Sequence, residues 1–124
     1  LLLVWWQVRR YRRGAAARVA EAELTALRAA LGRDGDAAAC IRGLSRLLRR
    51  FALVRFPRRR VAGLSGDEWL AFLDAQGGDG RFQSGPGRLL LDAPYRPVQD
   101  LPIEELANLV EDWIRRNRRP GRRS

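Results

Sequence analysis

Two amphipathic stripes in the first half of the chain restrict its fold more than any other feature. Ala20, Leu24, Leu27 and Leu31 recur at spacings of four, three and four among good helix formers, the pattern of one helix face turned toward a core. The spacing predicts a helix over residues 15–31. Residues 32–35 then interrupt it with two glycines, and Asp36 stands where an N-cap is wanted for a second helix over about residues 37–56. Ile41, Leu44, Leu48 and Phe51 form the buried stripe of that helix, and Pro57 ends it. So short a break favours antiparallel packing of the pair as an αα-hairpin.

The second half reads as shorter pieces. Pro57 opens a brief helical turn that reaches toward Leu64. Ser65 and Glu68 have capping-box spacing ahead of the apolar group Trp69, Leu70, Phe72 and Leu73, and Gly77 and Gly78 stop that helix. Residues 77–100 hold five Gly and three Pro and read as a long irregular loop pinned by Phe82, Leu89, Leu90, Leu91 and Tyr95, with a short strand at residues 89–91 as an option. Asp100 caps a last helix with Pro102 in its first turn and Glu104 and Glu105 beside the positive end of the dipole. Leu106, Leu109, Val110, Trp113 and Ile114 form its inward face, and the charge run from Arg115 onward reads as a frayed tail. The expected fold is all-α: a small bundle of about four to five helices over residues 15–117, with the irregular loop before the last helix and a disordered tail over 118–124.

The chemistry available to such a bundle is narrow. Histidine is absent, which removes the commonest general base, the commonest metal ligand and every Ser/His or Cys/His nucleophile pair. Cys40 is the only cysteine, so neither an internal disulfide nor a cysteine metal cluster can form, and its place near the start of the second helix suits a small core residue. The carboxylate pairs Asp67/Glu68 and Glu104/Glu105 sit at helix starts, where capping and dipole effects favour them, and Glu111/Asp112 is placed on a solvent face. The glycine-rich stretches near residues 77–80 and 85–87 lack the Lys-Ser/Thr of a phosphate-binding loop and read as turns. No catalytic, cofactor or metal-binding set is expected.

Charge is placed unevenly within the total of +10. Residues 1–60 carry fifteen Arg against Glu21, Glu23, Asp34 and Asp36; residues 61–112 carry three Arg against ten carboxylates; six Arg follow. Spacings of four and three align Arg42, Arg46 and Arg49 on the second helix, with Arg50 alongside, as a face that could engage phosphates or carboxylates, although a solvated polar face opposite a Leu stripe is the reading the sequence favours. The residues that read base edges or stack on RNA are scarce, so sequence-specific nucleic-acid binding is not expected, and the alternative function is a basic helical protein making non-specific phosphate contacts.

The chain opens with Leu1, Leu2, Leu3, Val4, Trp5 and Trp6, and Arg9, Arg10, Arg12 and Arg13 follow around Tyr11. A membrane-spanning helix needs roughly 20 apolar residues, more than this start provides. Its order is that of a span's end: apolar residues, tryptophans at headgroup level, then arginines on the cytoplasmic side. Residues 1–8 are therefore expected to be the cytoplasmic end of an anchor that continues upstream, and residues 9–14 a basic juxtamembrane segment. The alternative packs the Leu and Trp side chains onto the domain's own core. An anchor remnant should make few contacts with the bundle; a core element should be buried in it.

The combination of that start, Phe51-Ala52, Phe56-Pro57-Arg58, the run Leu64-Ser65-Gly66-Asp67-Glu68-Trp69-Leu70-Ala71-Phe72-Leu73-Asp74, then Pro94-Tyr95-Arg96-Pro97 and Trp113-Ile114-Arg115-Arg116 resembles the uncharacterised domain-of-unknown-function 4381 family of small bacterial single-pass membrane proteins. The resemblance implies Trp69, Leu70, Phe72, Leu73, Pro94, Tyr95 and Trp113 as a family-like structural core. It also implies genes beside MoxR-type AAA+ ATPases and von Willebrand factor A domain proteins, and it implies no enzymatic activity. The Arg cluster after the apolar start sets the expected topology: a single-pass protein of the bacterial inner membrane with this domain facing the cytoplasm. Together these readings predict a non-enzymatic, membrane-tethered adaptor whose helical domain docks one of those two partners.

Overall fold

Asp36 caps the second helix as its position predicts: its carboxylate accepts the amide N–H of Ala39 at 3.0 Å. The computed structural model describes residues 2–97 and 101–118, without the side chains of residues 5–13. Leu1, the expected Asp100 cap, residues 119–124, and the side chains of Trp5, Trp6, Arg9, Arg10, Arg12 and Arg13 lie outside the described residues. Six α-helices form there: α1 (Leu2–Asp34), α2 (Ala37–Arg55), α3 (Arg58–Val61), α4 (Gly66–Leu73), α5 (Leu89–Asp92) and α6 (Ile103–Arg116). No strand occurs among the described residues, and the all-α bundle is the fold.

α1 and α2 are the expected antiparallel hairpin. Glu23 meets Arg50, and further along the seam a Cβ at Gly43 would run into the Leu27 side chain, so glycine lets the two backbones approach there. α6 packs antiparallel to α1 and hence parallel to α2, because Arg28 reaches Glu104, Asn108 and Glu111 while Glu21 faces Arg118. Leu44, Leu48, Leu70, Leu106, Val110, Trp113 and Ile114 are buried between these helices. Each large side chain removed from water contributes on the order of 1.5–3 kcal/mol, so this contiguous core dominates the stability. Phe51 and Phe56 meet the Trp113 ring at 5.8 and 6.1 Å between centroids, and Phe72 meets Phe56 edge-on at 5.2 Å.

Several expectations are corrected. α1 is one helix through Gly14 and Gly32 rather than one confined to residues 15–31, since both glycines have room around them and only Gly35, at φ +68°, breaks the helix. The Ser65 capping box does not form; Gly66 turns left-handed at φ +55°, and the Ser65 hydroxyl makes no capping bond. α4 ends at Leu73, ahead of Gly77 and Gly78, in a wide turn over Asp74–Gly78 where Gly77 takes φ +117°. The proposed strand at residues 89–91 is α5, entered from a 3-10 turn over Pro86–Arg88 and left by another over Ala93–Tyr95.

Residues 77–97 are thus a succession of short turns held by one anchor. The Asp74 carboxylate accepts the amides of Phe82 and Gln83, both at 3.0 Å, and Phe82 is fully buried between Gly78 and Gly87. At the end of the chain, Arg115 and Arg116 belong to α6 rather than to a tail, and each bonds a carboxylate one turn back. Asn117 is buried, donating to the carbonyls of Gln76 and Trp113 at 2.9 Å.

Candidate interaction surface

Arg42, Arg46, Arg50 and Val54 follow one another at spacings of four, so the helical repeat lines them up as an exposed ridge on α2. Arg42 and Arg46 make no ion pair among the described residues. Arg50 bonds Glu23 of α1 at 2.6 Å. Below that pair, α1 and α2 leave an open groove of about 380 Å³, lined mainly by Ala15, Ala16, Val19, Phe51 and Val54. Small alanines on α1 create it, because nothing fills the space beside Phe51. Val19 and Val54 are 57 and 41 % exposed at its rim, an apolar strip beside the cationic ridge.

Arg49 does not belong to this surface, although its spacing from Arg46 grouped the two. It turns inward, donates to the carbonyls of Val61 at 3.3 Å and Leu64 at 2.8 Å, and lies 4.1 Å over the Trp69 ring. Burial pushes its guanidinium pKa down from the usual range. Its role is to hold the segment after α3 against α2.

Three of the four carboxylates of α6 are engaged by arginines as well. Arg28 bridges three side chains on one α6 face: Nη1 donates to Glu104 at 3.2 Å, and Nη2 to Asn108 at 2.9 Å and to Glu111 at 3.2 Å. Asp112 accepts from Arg81 and from Arg116, each at 2.9 Å. Burial alone would raise the Asp112 pKa, but the Arg81 bond and the charges of Arg116 and Arg81 outweigh it and hold the carboxyl below its ordinary range. Glu111 and Asp112 are therefore clamps between elements and not a solvent-facing pair. Asp67 lies 2.9 Å from Arg88. The spacing of Glu104, Asn108 and Glu111 was a legible hint of a cation across the interface; nothing in the sequence marked Arg28 as that cation.

Cys40 is buried, with its thiol directed at the Leu27 carbonyl at 3.9 Å. Burial, then the charge of Glu104, raises its pKa, opposite to what a reactive thiol needs. No metal-binding group of side chains occurs among the described residues. Of the family-like core, Trp69, Leu70, Leu73 and Trp113 are buried and Phe72 is partly so, while Pro94 and Tyr95 are exposed. Tyr95, 87 % exposed, ends the 3-10 turn after α5 and points away from the bundle, which corrects its assignment to the core.

Leu2, Leu3 and Val4 are 82, 73 and 62 % exposed and do not pack on the bundle. α1 has 33 residues and α2 has 19, so α1 is longer by about 20 Å at ~1.5 Å per residue, and its N-terminal part extends past the end of its partner. Among the described residues, no helix is long and apolar enough to cross a membrane.

The described residues thus combine charged clamps between helices with an exposed cationic ridge and an open apolar groove on the α1–α2 face. The chain belongs to the family described as Domain of unknown function (DUF4381), which it matches over residues 1–116. No curated protein and no solved structure matches it.

Proposed function

We propose that this protein is a non-enzymatic adaptor, tethered to the bacterial inner membrane through α1, whose cytoplasmic bundle docks a protein partner through the α2 ridge and the adjoining groove. The observation that carries the tether is the exposure of Leu2, Leu3 and Val4 at the tip of an extended helix. A core element would bury these side chains, at a gain of about 1.5–3 kcal/mol each; hydrocarbon offers the same gain at the end of a span. The Arg clamps support a non-catalytic role, since they tie Glu111 and Asp112 into contacts that hold the helices together.

The partner is an acidic protein face with an apolar projection. Arg42 and Arg46 supply charge complementarity, and the groove at Val19 and Val54 accepts a side chain that anchors the contact. The family resemblance nominates a MoxR-type AAA+ ATPase or a von Willebrand factor A domain protein encoded nearby. Co-purification of the full-length protein with both neighbours at low salt tests this. One neighbour should be retained, and Arg42→Glu with Arg46→Glu should release it while the bundle stays folded. Retention of neither neighbour, or retention indifferent to the double reversal, would remove the adaptor reading.

A further inference from the structure

The bundle is electrically polar along its axis. α2 ends at Arg55, whose Nε donates to the Asn117 carbonyl at 2.6 Å, so the C-termini of α2 and α6 lie at one end. α1 runs antiparallel to both, which brings its N-terminal extension out at that same end. Arg18, Arg58, Arg59, Arg115, Arg116 and Arg118 surround the exit point and are all exposed. Asp34, Asp36, Glu104 and Glu105, with Arg28, Arg33 and Arg42 among them, stand toward the opposite end, where the charges nearly cancel. Arg115, Arg116 and Arg118 are each offset by a carboxylate neighbour, whereas Arg18, Arg58 and Arg59 have no ion pair among the described residues.

We infer that this basic collar is a second contact surface, which lies against the anionic headgroups of the bilayer and sets how the bundle stands on the membrane. The inference rests on the tether proposed above and adds a face that the tether does not require. Distance limits how the surface is reached: with Trp5 and Trp6 at headgroup level the hydrocarbon ends near Val4, and fourteen residues of helix, about 21 Å, separate Val4 from Arg18. Headgroups occupy roughly 5–8 Å beyond the hydrocarbon, and the field of an anionic surface persists for a Debye length of about 8 Å more. The Arg18 backbone therefore stands just beyond that field with α1 upright, and tilting of α1, together with the reach of the arginine side chains, brings one side of the collar into it. Arg9, Arg10, Arg12 and Arg13 occupy positions on α1 between the collar and the apolar tip. The carboxylates of the opposite end are turned away from a surface that would repel them.

Vesicle co-sedimentation of the 124-residue chain tests the collar, using phosphatidylcholine alone and phosphatidylcholine with 30 mol % phosphatidylglycerol (about 30 %, a common anionic load). Two triple variants carry the same change in net charge: Arg18→Glu, Arg58→Glu, Arg59→Glu at the collar, and Arg33→Glu, Arg42→Glu, Arg46→Glu away from it. Wild type should bind the anionic vesicles more tightly, with a strong salt dependence. The collar variant should lose on the order of 100-fold in partitioning and the distal variant less than about 5-fold, as each cation near the surface strengthens binding about 5-fold. Equal losses in the two variants would show net charge alone at work and overturn the collar. So would loss of duplex DNA binding by the collar variant with vesicle binding intact. A full-length protein that stays membrane-integral while its collar variant binds vesicles normally would refute this inference and leave the tether standing.

Discussion

The indole N–H of Trp113 donates to the carbonyl of Leu73 over 2.9 Å, tying the last turn of α6 to the end of α4 where both groups are buried. Phe51 and Phe56 pack on the same ring, so one side chain joins α2, α4 and α6. Trp113→Phe keeps most of the apolar volume but leaves the Leu73 carbonyl without its donor. It should cost about 1–3 kcal/mol in urea denaturation, and Trp113→Ala about 3–5 kcal/mol. A phenylalanine variant as stable as wild type would show that the bond contributes nothing.

The hairpin and the last helix were legible because their apolar residues repeat at helical spacing and because Asp36 and Pro57 act locally. Buried Ile41, Leu44, Leu48 and Phe51, and later Leu106, Leu109, Val110, Trp113 and Ile114, follow the predicted stripes. Residues 77–97 were not legible, since their order comes from distant contacts: Asp74 collecting the Phe82 and Gln83 amides, and Phe82 wedged beside two glycines. The charged surface was half legible. Spacing grouped Arg49 with Arg42 and Arg46, but only the fold places the Val61 and Leu64 carbonyls and the Trp69 ring where Arg49 turns away from its neighbours.

Gly87 and Gly32 should respond oppositely to alanine. A Cβ at Gly87 would stand 2.6 Å from the Phe82 Cα and also meet its ring, so the clash involves backbone that cannot swing aside. Gly87→Ala should destabilise by about 1–3 kcal/mol, with no rescue from Phe82→Leu. Gly32 lies within α1 with nothing within 4 Å of an added Cβ, and Gly32→Ala should stabilise by about 0.5–1 kcal/mol. Thermal melts of the three proteins check the signs, and a destabilised Gly32→Ala would contradict the continuous α1.

Asp112 makes stability depend on pH in one direction. Because its folded carboxyl is held below the unfolded value, its contribution is present above that unfolded value, near 4, and is lost as pH falls through the lower folded one. Asp112→Asn should therefore weaken the protein at pH 7, by less than about 1 kcal/mol because the Arg81 and Arg116 pairs are partly exposed, and the deficit should vanish near pH 2. Denaturant midpoints of both proteins at about pH 7, 5, 3 and 2 give the comparison. A deficit unchanged across that range would mean that the lost contact is not ionic.

The proposed tether through α1 would hold the bundle at the inner membrane, facing the cytoplasm. Protease digestion of sealed right-side-out and inverted membrane vesicles from cells making the full-length protein, after an alkaline carbonate wash, tests it most directly. The tether predicts that the protein survives the wash in the membrane fraction, and that the bundle is cleaved in inverted vesicles and protected in right-side-out ones. Release by the wash, or cleavage only in right-side-out vesicles, would contradict it.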